Sequence, residues 1–457
     1  MANTAIRDAS SFRDPEGYVF HENGYIKRKL LSQEAKDKMK TLLASSFYQD
    51  MQKSGRLIPT HWDSDVLIHE KVPVVTYPYE WSFNMLKDAA LGQLSLMKEG
   101  IEHGFILKDG TGFNSLYHNG NMVFVDLLSI DKYQGGQMWE GYHQYCEHFL
   151  FPMMLSGYKN VPFQNWWRGN LDGIKTADIY NLLSFKDYFK KGVIKNVVLP
   201  YNLGKKITNK NNIKKNFNSA TFPKGALLSF INVLMQTTQA LNQSKDATTW
   251  EDYADNNSYS NEEKTVKMEF IAKHLKTIAP LNQMIDIGAN TGDYSVLASE
   301  FSNKVISLDF DINCVDKLYL KIKNDSKLST KIIPMIGDVV NFSPNCGWDI
   351  NERTSQISRV ASDCFLALAL IHHICISKNV PISHFLEFIS KIGTYGVLEW
   401  VDIKDSMAQQ LIRNRKDIFA DYTWEHFKIE VEKHFQILNI SETHSGNRKL
   451  CFIKRKY

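Results

Sequence analysis

The residues with the types and spacing for chemistry fall into two groups. The first lies between Met284 and Asp311, where Asp286, Gly288, Asn290 and Gly292 stand at alternate positions and Asp309 follows a second apolar run. A carboxylate at the tip of a strand can accept hydrogen bonds from both vicinal hydroxyls of a ribose. Glycine lacks Cβ, so backbone amides beside it can approach a ligand closely. No basic residue stands nearby to meet a phosphate, and Asp286 is placed to meet a cationic or amine-bearing ligand. Farther on come His372 and His373, whose ordinary pKa of about 6.5 lets a neutral imidazole take a proton from a hydroxyl. The second group is Asp109, Asn114 five positions later, and Asp126 after a short apolar run.

The elements that must position the first group are readable from the apolar pattern. Met284–Ile287 predicts a strand, Gly288–Gly292 a tight turn, the next segment a helix, and Val305–Leu308 a second strand ending on Asp309. That is half of a doubly wound nucleotide-binding sheet. A dinucleotide fingerprint would read G-x-G-x-x-G; here the glycines stand as G-x-x-x-G. The pattern D-x-G-x-x-x-G with a following acid resembles motif I of class I S-adenosylmethionine-dependent methyltransferases. The resemblance implies a Rossmann-like seven-stranded sheet and S-adenosylmethionine as cofactor. Asp286, Gly288, Asn290, Gly292 and Asp309 would then bind it. An acid or amide after the third strand of that fold contacts the adenine amino group, which makes Asp338 the candidate after Lys331–Ile336.

Asp363–Ile371, reading DCFLALALI, is almost continuously apolar and predicts a strand buried on both faces. Ligands of such sheets lie at the carboxyl ends of the strands, so His372 and His373 are expected to face the methyl donor. One of them is the expected base; the alternative is a histidine that bonds backbone or adenine. Gly396–Val401 predicts the fifth strand, with Glu399 and Asp402 near its functional end. Arg415–Tyr422 is a charged, aromatic stretch that could line an acceptor site. His434–Ile440 and Lys449–Lys454 read as a closing antiparallel pair. No Asn/Asp-Pro-Pro-Tyr motif follows the fourth strand, which favours oxygen over nitrogen as methyl acceptor.

The N-terminal half is a different module. Asn23-Gly24 between two alternating runs predicts a hairpin. Ser32–Lys53, capped by Ser32, and Trp81–Gly100 predict helices. The order Asp109, Asn114, a turn at His118–Asn121 and Asp126 resembles the catalytic and metal-binding segments of protein kinase-like phosphotransferases. There the first Asp serves the acceptor hydroxyl, and the Asn and second Asp hold Mg²⁺. The match departs at Lys108, where kinases usually place Arg, and at Leu127-Leu128, where they place Phe-Gly. No glycine-rich phosphate loop or phosphate-binding lysine is evident upstream, so a degenerate lobe is expected. Gln137–Tyr158 reads as an aromatic core helix. Phe163–Leu171, with Trp166 and Trp167, suits either sugar stacking or plain packing. Between Lys186 and Lys215 nine lysines face a single acid, Asp187. Such a stretch could meet an anionic substrate or a membrane surface, or form a solvated face.

The length permits more than one domain, and the expected division is a kinase-like module over 1–241, a linker over 242–264, and the methyltransferase domain over 265–457. A helix is expected from Asn261. Aromatics in the linker, Trp250–Tyr253 and Ser258–Ser260, could close over cofactor or substrate. The net charge of +4 is too small to argue for nucleic-acid binding. Six cysteines without a C-x-x-C pair suggest reduced thiols and neither a disulfide frame nor a metal site. No signal peptide or membrane span is apparent, and a cytoplasmic location is expected. The segments DPEGYVF, YPYEWSFNMLKDAALGQL, LKDGTGFN, GYHQYCEHFLFPMML, DIGANTGDYS, LALALIHHI and RKDIFADYTWEHF together resemble a bacterial methyltransferase family related to the nodulation protein NoeA. The expected function is methyl transfer to an oxygen of a small-molecule or glycan-like acceptor, an anionic one among the candidates. The rivals are a bifunctional enzyme that also transfers phosphate from ATP, and a non-catalytic nucleotide-sensing adaptor.

Overall fold

A computed structural model of the chain describes residues 5–208, 222–244, 261–413, 420–442 and 446–456. Most of the 242–264 linker lies outside them, with both of its aromatic groups, as do 415–419 of the charged stretch and Lys210, Lys214 and Lys215. The chain divides into two compact units, Met1–Asp246 with Cys346–Arg353, and Ala247–Asn345 with Thr354–Tyr457.

The C-terminal unit is built on seven strands: β1 (Leu281–Ile287), β2 (Ser302–Asp309), β3 (Ile332–Ile336), β4 (Ser362–Ala367), β5 (Gly393–Val401), β6 (Phe435–Glu442) and β7 (Arg448–Arg455). Their order is β3-β2-β1-β4-β5-β7-β6. The first five are parallel, and β7 runs antiparallel to both neighbours. This is the Rossmann-like, seven-stranded sheet of class I methyltransferases. The parallel strands are apolar because both of their faces are covered: Met284, Ile285, Ile287, Val305, Ile306 and Leu308 are all buried. Order reverses between β1 and β4, so a crevice opens where their carboxyl ends diverge. Gly396 has a packing reason, since a Cβ there would fall 2.2 Å from the Phe365 ring.

The N-terminal unit is α+β. An antiparallel five-stranded sheet runs in the order Ile6–Arg7, Gly17–Glu22, Tyr25–Leu30, Val66–His69, Thr60–Asp63. Asn23 and Gly24 both have positive φ, as the two-residue hairpin turn requires. The helix expected over Ser32–Lys53 is two, Gln33–Ala44 and Ser46–Lys53. Ser45 breaks it by adopting an extended conformation and capping the second helix through Tyr48 N. The long helix Phe83–Glu102 carries the core face, capped by Ser82. The expected helix Gln137–Tyr158 begins only at Tyr142, because Gly141 packs its backbone against Asp109 and Gly110. It is interrupted by a π turn at Cys146–Leu150 before continuing over Phe151–Lys159.

Cys346–Arg353 leaves the sequence between β3 and β4 and belongs to the N-terminal unit. Cys346 and Arg353 pair as a β-bridge. The buried Glu352 carboxylate accepts two hydrogen bonds from Arg13, both 2.9 Å, and one from Trp348 N. The Arg353 guanidinium lies 4.3 Å from the Phe113 ring centroid. All six cysteines are unbridged.

Candidate active site

The site at the C-terminal ends of β1 and β2 is knitted by one carboxylate. Asp309 Oδ2 accepts from Asn290 N at 2.7 Å, and its Oδ1 accepts from Asp311 N at 2.8 Å. Its backbone carbonyl accepts from Gly337 N at 2.9 Å. Asp309 thereby ties the turns after β1, β2 and β3 together. Gly288, Asn290 and Gly292 all have positive φ, and Gly288 N and Ala289 N both donate to Leu308 O. A Cβ on Gly292 would strike Leu318 at 2.5 Å, whereas at Gly288 the nearest atom is Leu370 Cδ1 at 3.6 Å. Gly292 therefore serves packing and its backbone conformation, while Gly288 leaves room on its exposed side.

Asp286 is buried beneath this turn and accepts from Ser295 Oγ at 2.7 Å. Burial pushes its carboxyl up to about 7, with the neighbouring Asp309 adding repulsion. Burial likewise raises Asp309 to about 6, against the pull of its backbone donors. Among the described residues neither carboxylate has a basic partner within salt-bridge distance. Two neighbouring buried acids of this kind suit a ligand that brings a positive charge. Asp338 lies half-buried after β3, its carboxylate accepting from Val340 N.

The crevice wall after β4 differs from expectation. The strand ends at Ala367, and His372 and His373 stand at the start of a helical turn instead of at the tip of a nine-residue strand. The cause is Glu399 on β5. Its Oε2 accepts from Ala369 N at 2.7 Å, and Ala369 turns the chain out of the sheet with φ +48°. Lys267 from the helix Asn261–Ile278 donates to the same oxygen at 2.8 Å. This pair is 1% and 0% exposed. Arg448 Nη1 lies 3.6 Å from Glu399 Oε1 and binds Asp405 through two further nitrogens, at 2.7 and 3.0 Å. Sequence reasoning noticed Glu399 and overlooked Lys267. Its signal was there: Lys267 occupies the helical face of Phe270, Ile271, His274 and Leu275, where an apolar residue belongs.

His372 is fully buried, and neither ring nitrogen has a hydrogen-bond partner. Burial, then repulsion from His373 and Lys267, holds its pKa well below the usual range. Burial alone lowers His373 to about 4. Both rings, with centroids 4.0 Å apart, are therefore neutral near pH 7. Asp402, expected near the functional end of β5, and Tyr422, expected to line the acceptor site, do other work. Asp402 accepts from Lys404 N in a turn after β5. Tyr422 is buried, stacks on Trp400 at 4.6 Å and donates to Val401 O.

In the N-terminal unit, Asp109 and Asp126 lie close enough to repel. Burial is the main reason that the Asp109 carboxyl is raised, and Asp126 adds to it. Asn114 O accepts from Val125 N, beside Asp126, and its Nδ2 is buried without a partner. The three are thus brought together, but Asp126 is paired with Arg28 at 2.9 Å. Trp167 packs with Phe113, His148 and Phe163 in the interior, so the aromatic stretch after Phe163 contributes to packing.

The nodulation protein NoeA of Rhizobium meliloti (strain 1021) is 32% identical over 465 residues, covering 98% of this chain and 96% of its own. No family model matches the chain. Among solved structures, the PH0226 protein of Pyrococcus horikoshii OT3 aligns with a TM-score of 0.33 and 12% identity, over 46% of this chain and 97% of its own. The N-methyltransferase NodS of Bradyrhizobium japonicum WM9 gives 0.31 and 8%, over 43% and 99%. The bifunctional kinase-methyltransferase WbdD gives 0.30 and 14%, over 45% and 42%. Scores at this level do not bear on function.

Proposed function

The chain belongs to the family of the nodulation protein NoeA, and on that premise we propose that its C-terminal unit transfers a methyl group from S-adenosylmethionine to an oxygen of a small-molecule or glycan-like acceptor. The observation that carries this reading is the pair of buried acids, Asp286 and Asp309, under a turn of three positive-φ residues at the switch point of the sheet. The cofactor fits that donor set: it brings two ribose hydroxyls, an ammonium and a sulfonium. When bound it supplies an electrophilic methyl group.

The chain's own residues do the rest. Asp309 takes the Asn290, Asp311 and Phe310 amides and keeps acceptor capacity for a ribose hydroxyl. Asp286 lends negative charge beneath the turn, and Asp338 is the partner for the adenine amino group. His373, neutral and only partly buried, accepts the proton of an acceptor hydroxyl, and the fully buried His372 ring packs against it. Leu370 and Ile371 beside it are apolar and exclude water from that transfer. The N-terminal unit does not turn over ATP, since the Arg28 guanidinium already engages Asp126. The test is to incubate the protein with isotopically labelled S-adenosylmethionine and a cell extract, followed by mass spectrometry. Label on an ether or ester oxygen is expected; label on an amine nitrogen would exclude the oxygen reading, and none at all would exclude methyl transfer to any acceptor in that extract.

A further inference from the structure

One surface of the N-terminal unit is unlike the rest. Six large apolar side chains, Leu182, Phe185, Phe189, Ile194, Leu199 and Leu203, are exposed within one short stretch, with Phe185 at 74% and Phe189 at 76%. They are not scattered. Ring contacts run from Phe189 to Phe185 (5.6 Å), Phe185 to Tyr188 (5.9 Å), Tyr188 to Tyr180 (6.4 Å) and Tyr180 to Tyr201 (3.8 Å). Leu199 and Leu203 stand one turn apart on the helix Leu199–Thr208. Lysines 186, 190, 191, 195 and 205 are interleaved with them and exposed. The single acid of this stretch, Asp187, is buried and spent internally on Lys159 and Lys190, both at 2.9 Å. Among the described residues Lys186, Lys191 and Lys195 have no acidic partner. A cluster of exposed aromatic and aliphatic side chains of this kind marks an interaction surface.

We propose that this face docks on an anionic lipid bilayer surface. The charge decides the occupant: aromatic and aliphatic side chains that enter the headgroup boundary, surrounded by uncompensated lysines, complement negatively charged lipid. The inference is independent of the methyl-transfer reading. It is tested by sedimenting the full chain with phosphatidylcholine vesicles, with and without phosphatidylglycerol. Binding is expected only with phosphatidylglycerol, and it weakens as salt rises from about 0.1 M to about 1 M. Each lysine contributes about fivefold, so Lys186→Gln/Lys191→Gln/Lys195→Gln weakens binding on the order of 100-fold. Phe185→Ser/Phe189→Ser weakens it by more than about 10-fold through lost apolar burial. All five side chains are exposed, so circular dichroism and Tm of both variants stay at the parent values. Three outcomes overturn the proposal: no binding to phosphatidylglycerol vesicles, equal binding to neutral ones, or variants that bind like the parent. Light scattering that shows a dimer dissociated by the phenylalanine changes, with no vesicle binding, assigns the face to a second copy instead.

Discussion

Replacing Glu399 by glutamine tests how the wall beside His372 is held. The carboxylate carries two short contacts, 2.8 Å to Lys267 and 2.7 Å to Ala369 N, at a position with no solvent exposure. Glutamine keeps the shape and can still accept from one donor, but takes the Glu399 charge away from the buried Lys267 ammonium. Breaking one side of a buried pair costs about 3–5 kcal/mol, because the remaining buried charge loses that opposite charge. Arg448 worsens this, since removing the carboxylate subtracts negative charge from two cations. The double variant Glu399→Gln/Lys267→Met removes both charges and should recover most of that loss, to within about 1–2 kcal/mol of the parent. Urea unfolding of the full chain, followed by tryptophan fluorescence, measures both. A single variant that costs less than about 1 kcal/mol, or a double no better than the single, would refute the reasoning.

The other expectations are more local. Asp286 has a carboxyl raised to about 7 in the fold, so the native state binds more protons than the unfolded chain between about pH 4 and pH 7. Stability from this group therefore falls as pH rises through that window; Asp286→Asn should raise Tm at pH 8 and flatten the slope, and an unchanged slope would exclude the buried acid as its source. His373→Ala should lower kcat by about 10²–10⁴ with cofactor affinity nearly intact; equal loss of affinity would move the ring to the adenine pocket. Addition of Mg²⁺ and ATP should give neither turnover nor a thermal shift, and a shift abolished by Asp126→Ala would establish the phosphotransfer rival.

Local signals were the most legible. Asn23-Gly24 forced a hairpin, and DIGANTG fixed the strand, turn and following acid, because positive-φ turns demand Gly or Asn. What remained hidden depended on distant residues. The apolar run ending in Ile371 has no local stop, and it leaves the sheet because Glu399, thirty residues away, captures Ala369 N. Ser45 is an ordinary helix residue by spacing, yet it caps the next helix. Nothing in Cys346–Arg353 announces that Glu352 pairs with Arg13, a contact 339 positions apart. Lys267 was readable only as an anomaly on an apolar helical face, and its reason lies on β5.

Calorimetric titration of S-adenosylmethionine into the parent chain and into Asp309→Ala tests the central claim most directly. Asp309 holds the turns after β1 and β2 and offers its remaining lone pairs to the ribose, so the change should weaken binding by roughly 1.5–3 kcal/mol, or about 10- to 150-fold. Far-UV circular dichroism confirms that the variant is folded. Equal affinity in the two folded proteins, or a parent that binds NADH tightly and S-adenosylmethionine not at all, would contradict the account.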